Sequence, residues 1–288
     1  IRRSSHGCSN KNVNNWIGFS VTIARSFITG AVLFHCLVLT TGCQSLPWPK
    51  PLAPEGQIHG FHVIEATPPG WDTQRHTLYV PPGYKPDQEW PMIVFLHGYG
   101  DHGHDGRKPT RIALASAIEK YPERFPALVL FPQAPPGAVF GDREERWHVN
   151  TKDASPHITA AMDYVRAHYS VDEDRVSLTG ISMGGFGTYY YGAQHVDKFA
   201  ALMPICGGGR VEDADELATI PMWIFHGVKD RIIDVAQSAI MVSAIQDAGG
   251  NPRLTVFPDQ GHWCWDQVYY DPEAMAWLLA QRRDTTAN

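Results

Sequence analysis

The twenty residues from Arg175 to Gln194 read RVSLTGISMGGFGTYYYGAQ. A strand-like run enters, a helix-like run leaves, and only Gly180-Ile181-Ser182-Met183-Gly184 lies between them. Such a chain must turn sharply from strand to helix at Ser182, and glycines at both flanks allow backbone approaches that a Cβ would block. The hydroxyl then stands above the edge of a sheet, with a helix N-terminus behind it that favours developing negative charge. A serine so placed is a candidate nucleophile. The alternative is a Gly-rich helix entry with a capping serine, and the partners identified below weigh against it.

The rest of the body repeats this strand-then-helix rhythm. Apolar, β-branched runs predict strands over 61–66, 76–81, 91–97, 127–131, 175–181, 200–206, 221–227 and 253–257. Several of them, such as PMIVFLHG and PMWIFHG, are apolar on both faces, as buried parallel strands are. Helices are expected over 109–120, 156–168, 185–195, 235–248 and 272–282. Ser155-Pro156 reads as a capped helix start, and Gly249-Gly250 as a stop. The pattern predicts an α/β fold in one domain over 58–288, with a mostly parallel central sheet and helices on both faces.

A nucleophilic serine needs a base and an acid, which in sheets of this kind follow it in the order Ser, Asp/Glu, His. His262, in PDQGHWCW, follows the strand RLTVF. Asp230, in HGVKD, follows the strand MWIF. Both therefore fall at carboxyl ends of strands, the edge where Ser182 sits. Asp234 and Asp259 are rivals for the acid. The loop after MIVFL, His97-Gly98-Tyr99-Gly100, is placed to lend a backbone N–H to an oxyanion hole, through Tyr99 first and Gly98 second. Met183, directly after the serine, supplies the other N–H.

These segments resemble a known family. FLHGYGDHG, RVSLTGISMGGFGTYYYG, MPICGGG, MWIFHGVKD and the stretch from Arg253 to Arg283 are similar to the bacterial carboxylesterase and "predicted peptidase" branch of the α/β-hydrolase superfamily. That branch lies near the phospholipase/carboxylesterase and polyhydroxybutyrate-depolymerase-like esterases. The resemblance implies an α/β-hydrolase fold and a serine carboxylesterase working without a cofactor, with Ser182 as nucleophile, Asp230 as acid and His262 as base. A serine peptidase acting on small peptides is the alternative. A catalytically silent binding protein is a third reading, disfavoured because all three residues are present. Two local departures are Trp263-Cys264 after the histidine and an insertion-like stretch over 135–155, expected to overhang the site.

Trp147, Trp263 and Trp265 are candidate walls of a substrate pocket, with His148 a further polar contact. The histidine-rich Asp101-His102-Gly103-His104-Asp105 reads as a solvated loop and not a metal site, since zinc needs three or four converging ligands. His97 and His226, each before a glycine at a strand end, read as structural turn residues. Cys206 and Cys264 leave a disulfide open.

The N-terminal piece is chemically different. Residues 1–42 carry four basic residues and no acidic ones, whereas the remainder has a net charge of −10. An acidic body disfavours nucleic acid. Phe27–Thr41 is apolar but spans only about 22 Å as a helix, short of a ~30 Å hydrocarbon core. This is the layout of a secretory signal over 1–42. Thr40-Thr41-Gly42-Cys43 resembles the lipobox of bacterial lipoproteins, which implies lipidation of Cys43 and a membrane attachment. A Pro-rich tether over 43–57 follows. A plain cleaved signal and an uncleaved anchor are the alternatives, and each places the body outside the cytoplasm. The expected partner is a small ester substrate, with no protein partner inferred.

Overall fold

The structure, a computed structural model, describes residues 59–141 and 151–283. The leader, Cys43, the tether, Trp147 and His148 lie outside the described residues. Strands β1 (Gly60–Ala66), β2 (Gln74–Val80), β3 (Trp90–Leu96), β4 (Leu128–Phe131), β5 (Ala138–Val139), β6 (Lys152–Asp153), β7 (Val171–Ile181), β8 (Ala201–Ile205), β9 (Trp223–Gly227) and β10 (Arg253–Phe257) are joined by seven helices. These are α1 (Leu114–Lys120), α2 (Ser155–His168), α3 (Met183–Gln194), α4 (Ala214–Leu217), α5 (Ala236–Asp247), α6 (Trp265–Tyr269) and α7 (Pro272–Ala280).

Eight strands form one sheet in the order β1-β2-β4-β3-β7-β8-β9-β10, while β5 and β6 pair apart. Only β2 runs against its neighbours; from β4 to β10 every pairing is parallel. This is the α/β-hydrolase arrangement. Register fixes where the strands stop. Leu96 pairs with Gly180, Ile181 with Ile205, Ile205 with Phe225, and Phe257 with Gly227. Five strand ends therefore form one line, and the loops leaving it carry His97, Ser182, Cys206, Asp230 and His262.

Alternation along the strands splits the core in two. Val94, Leu96, Leu178, Leu202 and Ile224 pack beneath α2, α3, α4 and α5. Ile93, Phe95, Met203 and Phe225 pack beneath α1, α6 and α7. Helices on both faces follow directly, because each strand presents an apolar side chain to each side.

Several boundaries differ from expectation for local reasons. The helix expected from 109 begins at Leu114, because Lys108–Thr110 form a 3-10 turn and Ala113 stands at φ 55. Ser155 does not cap α2. Ala154 occupies that place without a side-chain cap, and the Ser155 N–H donates instead to Asp153 Oδ1 at 2.8 Å. Gly249, at φ 89, ends α5 as read, and the Gly250 N–H reaches the Ile245 carbonyl.

Two histidines of the β2–β4–β3 region are fully buried and uncharged. His76 Nδ1 accepts the Gln133 N–H at 3.0 Å, and His97 Nε2 accepts the Ala134 N–H at 2.9 Å. Burial holds both pKa values down, to about 3 in each case. Protonation would also place a proton where each backbone N–H already points. The folded protein therefore refuses two protons that the unfolded chain accepts below pH 6.5. Stability is full above that pH and falls as pH drops towards 3. With both sites contributing, the slope reaches about 3 kcal/mol per pH unit near pH 5. Thermal unfolding followed from pH 7.5 to 4.5 should show a midpoint collapsing below about pH 5.5. A flat profile across that range would contradict this account.

Candidate active site

The turn at Ser182 is as tight as its glycines require. A Cβ on Gly184 would stand 2.0 Å from the Leu96 carbonyl oxygen, and one on Gly180 would stand 2.3 Å from that of Gly184. Neither contact is possible, so β7 and α3 meet only because both positions lack a side chain. Ser182 itself is held at φ 55, ψ −116, a strained conformation for a non-glycine residue. Its N–H donates to the Ile205 carbonyl and its own carbonyl accepts the Phe186 N–H, so both sides of the turn are pinned. The half-buried Oγ is left facing the ends of β9 and β10.

His262 lies between that oxygen and Asp230. Its Nε2 is 2.9 Å from Ser182 Oγ and its Nδ1 is 2.7 Å from Asp230 Oδ2. The other carboxylate oxygen, Oδ1, accepts the N–H groups of Ile232 at 2.8 Å and Ile233 at 2.9 Å. Burial pushes the Asp230 carboxyl upward, but the His262 N–H and these backbone amides more than offset it. It is held below the usual carboxylate value. The aspartate is thus ionised while buried, and an ionised acceptor at Nδ1 keeps the ring proton there and leaves Nε2 to accept from the serine. The rivals are elsewhere engaged. Exposed Asp259 pairs with Lys229 at 2.7 Å, and Asp234 accepts the Ala236 N–H at the start of α5.

The β3 loop approaches Ser182 from the other side. The open face of Gly98 lies 3.8 Å from Ser182 Cβ, measured from where a Cβ would stand. The Gly98 carbonyl is anchored twice, by the His97 Nδ1–H at 2.7 Å and the Asp101 N–H at 3.1 Å. Because a peptide plane is rigid, fixing that carbonyl also fixes the direction of the Tyr99 N–H. The stretch from Asp101 to Asp105 is a scaffold and not the solvated loop expected from its composition. Gln133 Nε2 donates to the Asp101 carbonyl, the His102 ring sits between the carbonyl oxygens of Tyr99 and Ala138, and His104 contacts Gln74. Asp105 accepts the N–H groups of Arg107 and Lys108. The first part of the 135–155 stretch therefore braces this loop, through the Ala138 carbonyl and with Phe140 edge-on to His97 at 4.9 Å.

The tryptophans separate. Trp263 is 68% exposed, its ring edge-on to His262 at 6.0 Å. Trp265 is buried in the core beneath α6 and packs edge-on to the His262 ring at 5.8 Å, so it supports the imidazole instead of forming an open wall. Cys206 and Cys264 are both free and buried in contact, and burial pushes the Cys206 thiol well up. The His226 and Ser238 contacts around Asp230 were not read from the sequence. Both His97 and His226 stand in a strand-end His-Gly pair, and that shared pattern was the available signal.

Together the sheet order and the site define an α/β-hydrolase whose serine, histidine and aspartate meet at the carboxyl edge of the central strands. The chain belongs to the putative esterase family, whose model matches residues 72–262. A solved thermostable esterase is 30% identical, with a TM-score of 0.70 over 77% of this chain and 63% of its own. The bifunctional acetylxylan esterase/xylanase of Neocallimastix patriciarum is 25% identical over 161 residues, covering 56% of this chain and 22% of that protein. A secreted protein of Arthroderma benhamiae is also 25% identical, covering 60% and 21%. The chain thus spans about a fifth of the length of these two relatives.

Proposed function

We propose that this protein is a serine carboxylesterase in which Ser182 attacks the ester carbonyl, His262 carries the proton and Asp230 holds His262. The observation that carries the reading is the unbroken relay, 2.9 Å from Ser182 Oγ to His262 Nε2 and 2.7 Å from His262 Nδ1 to Asp230 Oδ2. As Oγ attacks, its proton passes to Nε2, and the imidazolium that forms is stabilised by the ionised Asp230. The Met183 and Tyr99 N–H groups receive the developing oxyanion. His262 then protonates the departing alcohol, and a water activated by the same ring releases the acid from the acyl-enzyme.

The rim supports an ester substrate of modest size. Tyr99, Ile232 and Trp263 are large, apolar and more than half exposed, and they come from three separate loops at this edge. They offer surface to both halves of an ester. A carbohydrate-linked or short-chain ester is the substrate class we favour, in keeping with the acetylxylan esterase relative. The export read from residues 1–42 is in keeping with the secreted relative. Among the described residues, no helix is long and apolar enough to cross a membrane.

The test is hydrolysis of p-nitrophenyl acetate, butyrate and octanoate, alongside an acetylated xylan and a small-peptide panel. Acetate and butyrate should be turned over faster than octanoate, and acetate should be released from the xylan. Hydrolysis of peptides without esters would transfer the chemistry to the peptidase reading.

A further inference from the structure

A second imidazole reaches the carboxylate oxygen that holds His262. His226, at the end of β9, is fully buried, and its Nε2 lies 3.3 Å from Asp230 Oδ2 and 2.9 Å from the Ile233 carbonyl oxygen. Its Nδ1 lies 2.8 Å from Ser238 Oγ, on α5. Two oxygens at Nε2, one of them ionised, require a proton on that nitrogen, because a bare lone pair there would face two others. A neutral ring then accepts at Nδ1, so the Ser238 hydroxyl donates to it. Burial favours the neutral ring. The Gly207 carbonyl lies 3.1 Å from Ser238 Oγ and competes for its single proton, with the Nδ1 contact the shorter of the two, and this links the network to the loop after β8.

We propose that His226 is a positioning residue for the relay, with Ser238 fixing its tautomer. The proposal rests on the reading that Ser182, His262 and Asp230 carry out ester hydrolysis. The His226 N–H donates to the Ile233 carbonyl and stands 3.3 Å from Asp230 Oδ2, while Oδ1 is held by the Ile232 and Ile233 amides. The carboxylate therefore cannot rotate as charge develops on His262. The His226 N–H dipole beside Oδ2 also lowers that oxygen's basicity, which keeps the proton on His262 through the transition state. None of these groups touches substrate, so their loss should appear in turnover and not in substrate affinity.

The experiment compares wild type with His226→Ala, His226→Gln and Ser238→Ala. It measures kcat, KM, thermal unfolding and the downfield proton resonance of the His262 Nδ1–H···Asp230 hydrogen bond. His226→Ala should lower kcat by roughly 10- to 100-fold with KM within about twofold. His226→Gln, whose amide N–H reaches the place of ring Nε2, should recover much of that loss. Ser238→Ala should lower kcat several-fold and shift the resonance. If His226→Ala does not fold, the other two variants decide. An unchanged kcat and resonance in Ser238→Ala, or a Gln variant no better than Ala, would overturn the proposal. Wild-type protein inert towards every ester would instead sink the esterase reading, and the resonance, which needs no substrate, would still judge His226.

Discussion

Replacing Ser182 with alanine should lower ester turnover by about 10⁶-fold, to the background rate of the buffer. The reason is chemical: no other hydroxyl lies within hydrogen-bonding reach of His262 Nε2 among the described contacts. The fold should survive. The turn is pinned through the backbone, by the Ser182 N–H on Ile205 and the Phe186 N–H on Ser182, and alanine keeps both bonds. Thermal unfolding should therefore stay within a few degrees of wild type, while labelling by a fluorophosphonate probe disappears. Turnover within tenfold of wild type would remove Ser182 from the mechanism.

Asp230→Asn should lower kcat by about 10⁴-fold, the scale of a wrong-tautomer defect in a relay of this kind. The amide can present an N–H where the carboxylate presented an acceptor. His262 would then accept at Nδ1 and carry its proton on Nε2, facing Ser182 with a donor where a base is needed. The same amide would meet the His226 N–H, so this substitution strikes two imidazoles through one oxygen. The buried aspartate is already ionised, which means that the loss should be seen across the whole neutral range. KM should change little. A variant with wild-type kcat would return Asp234 and Asp259 to consideration.

The sheet was legible in the sequence because parallel central strands leave an unusual mark, apolar on both faces and bounded by glycine or a polar turn. PMIVFLHG and PMWIFHG show it, and both proved to be interior strands. The candidate relay residues were legible for a related reason: each stands within a few residues of the end of a strand-like run, and the run predicts where the chain emerges. What stayed hidden was contact between loops. Asp101 to Asp105 is rich in glycine, histidine and aspartate, the composition of a solvated loop. Its order comes from Gln133 and Ala138, about thirty residues further on. Trp265 and Trp263 stand two residues apart in one motif, yet one lies in the core and the other in water, because α6 begins between them and turns its first residue inward. Local pattern carries no mark of either arrangement.

The line of strand ends has a consequence for how this molecule comes to exist. The proposed nucleophile is separated from its proposed base by 80 residues, and the proposed acid and oxyanion loop come from two further strands. The proposed proton relay needs strands β7, β9 and β10 together, so chemistry begins only when the edge pairing of β9 with β10 has closed. Contacts so distant in sequence form slowly. Until then the chain is a set of sticky β-segments with no power to react. Catalysis here is an all-or-none property of the finished sheet, and turnover can serve as a reporter of complete folding.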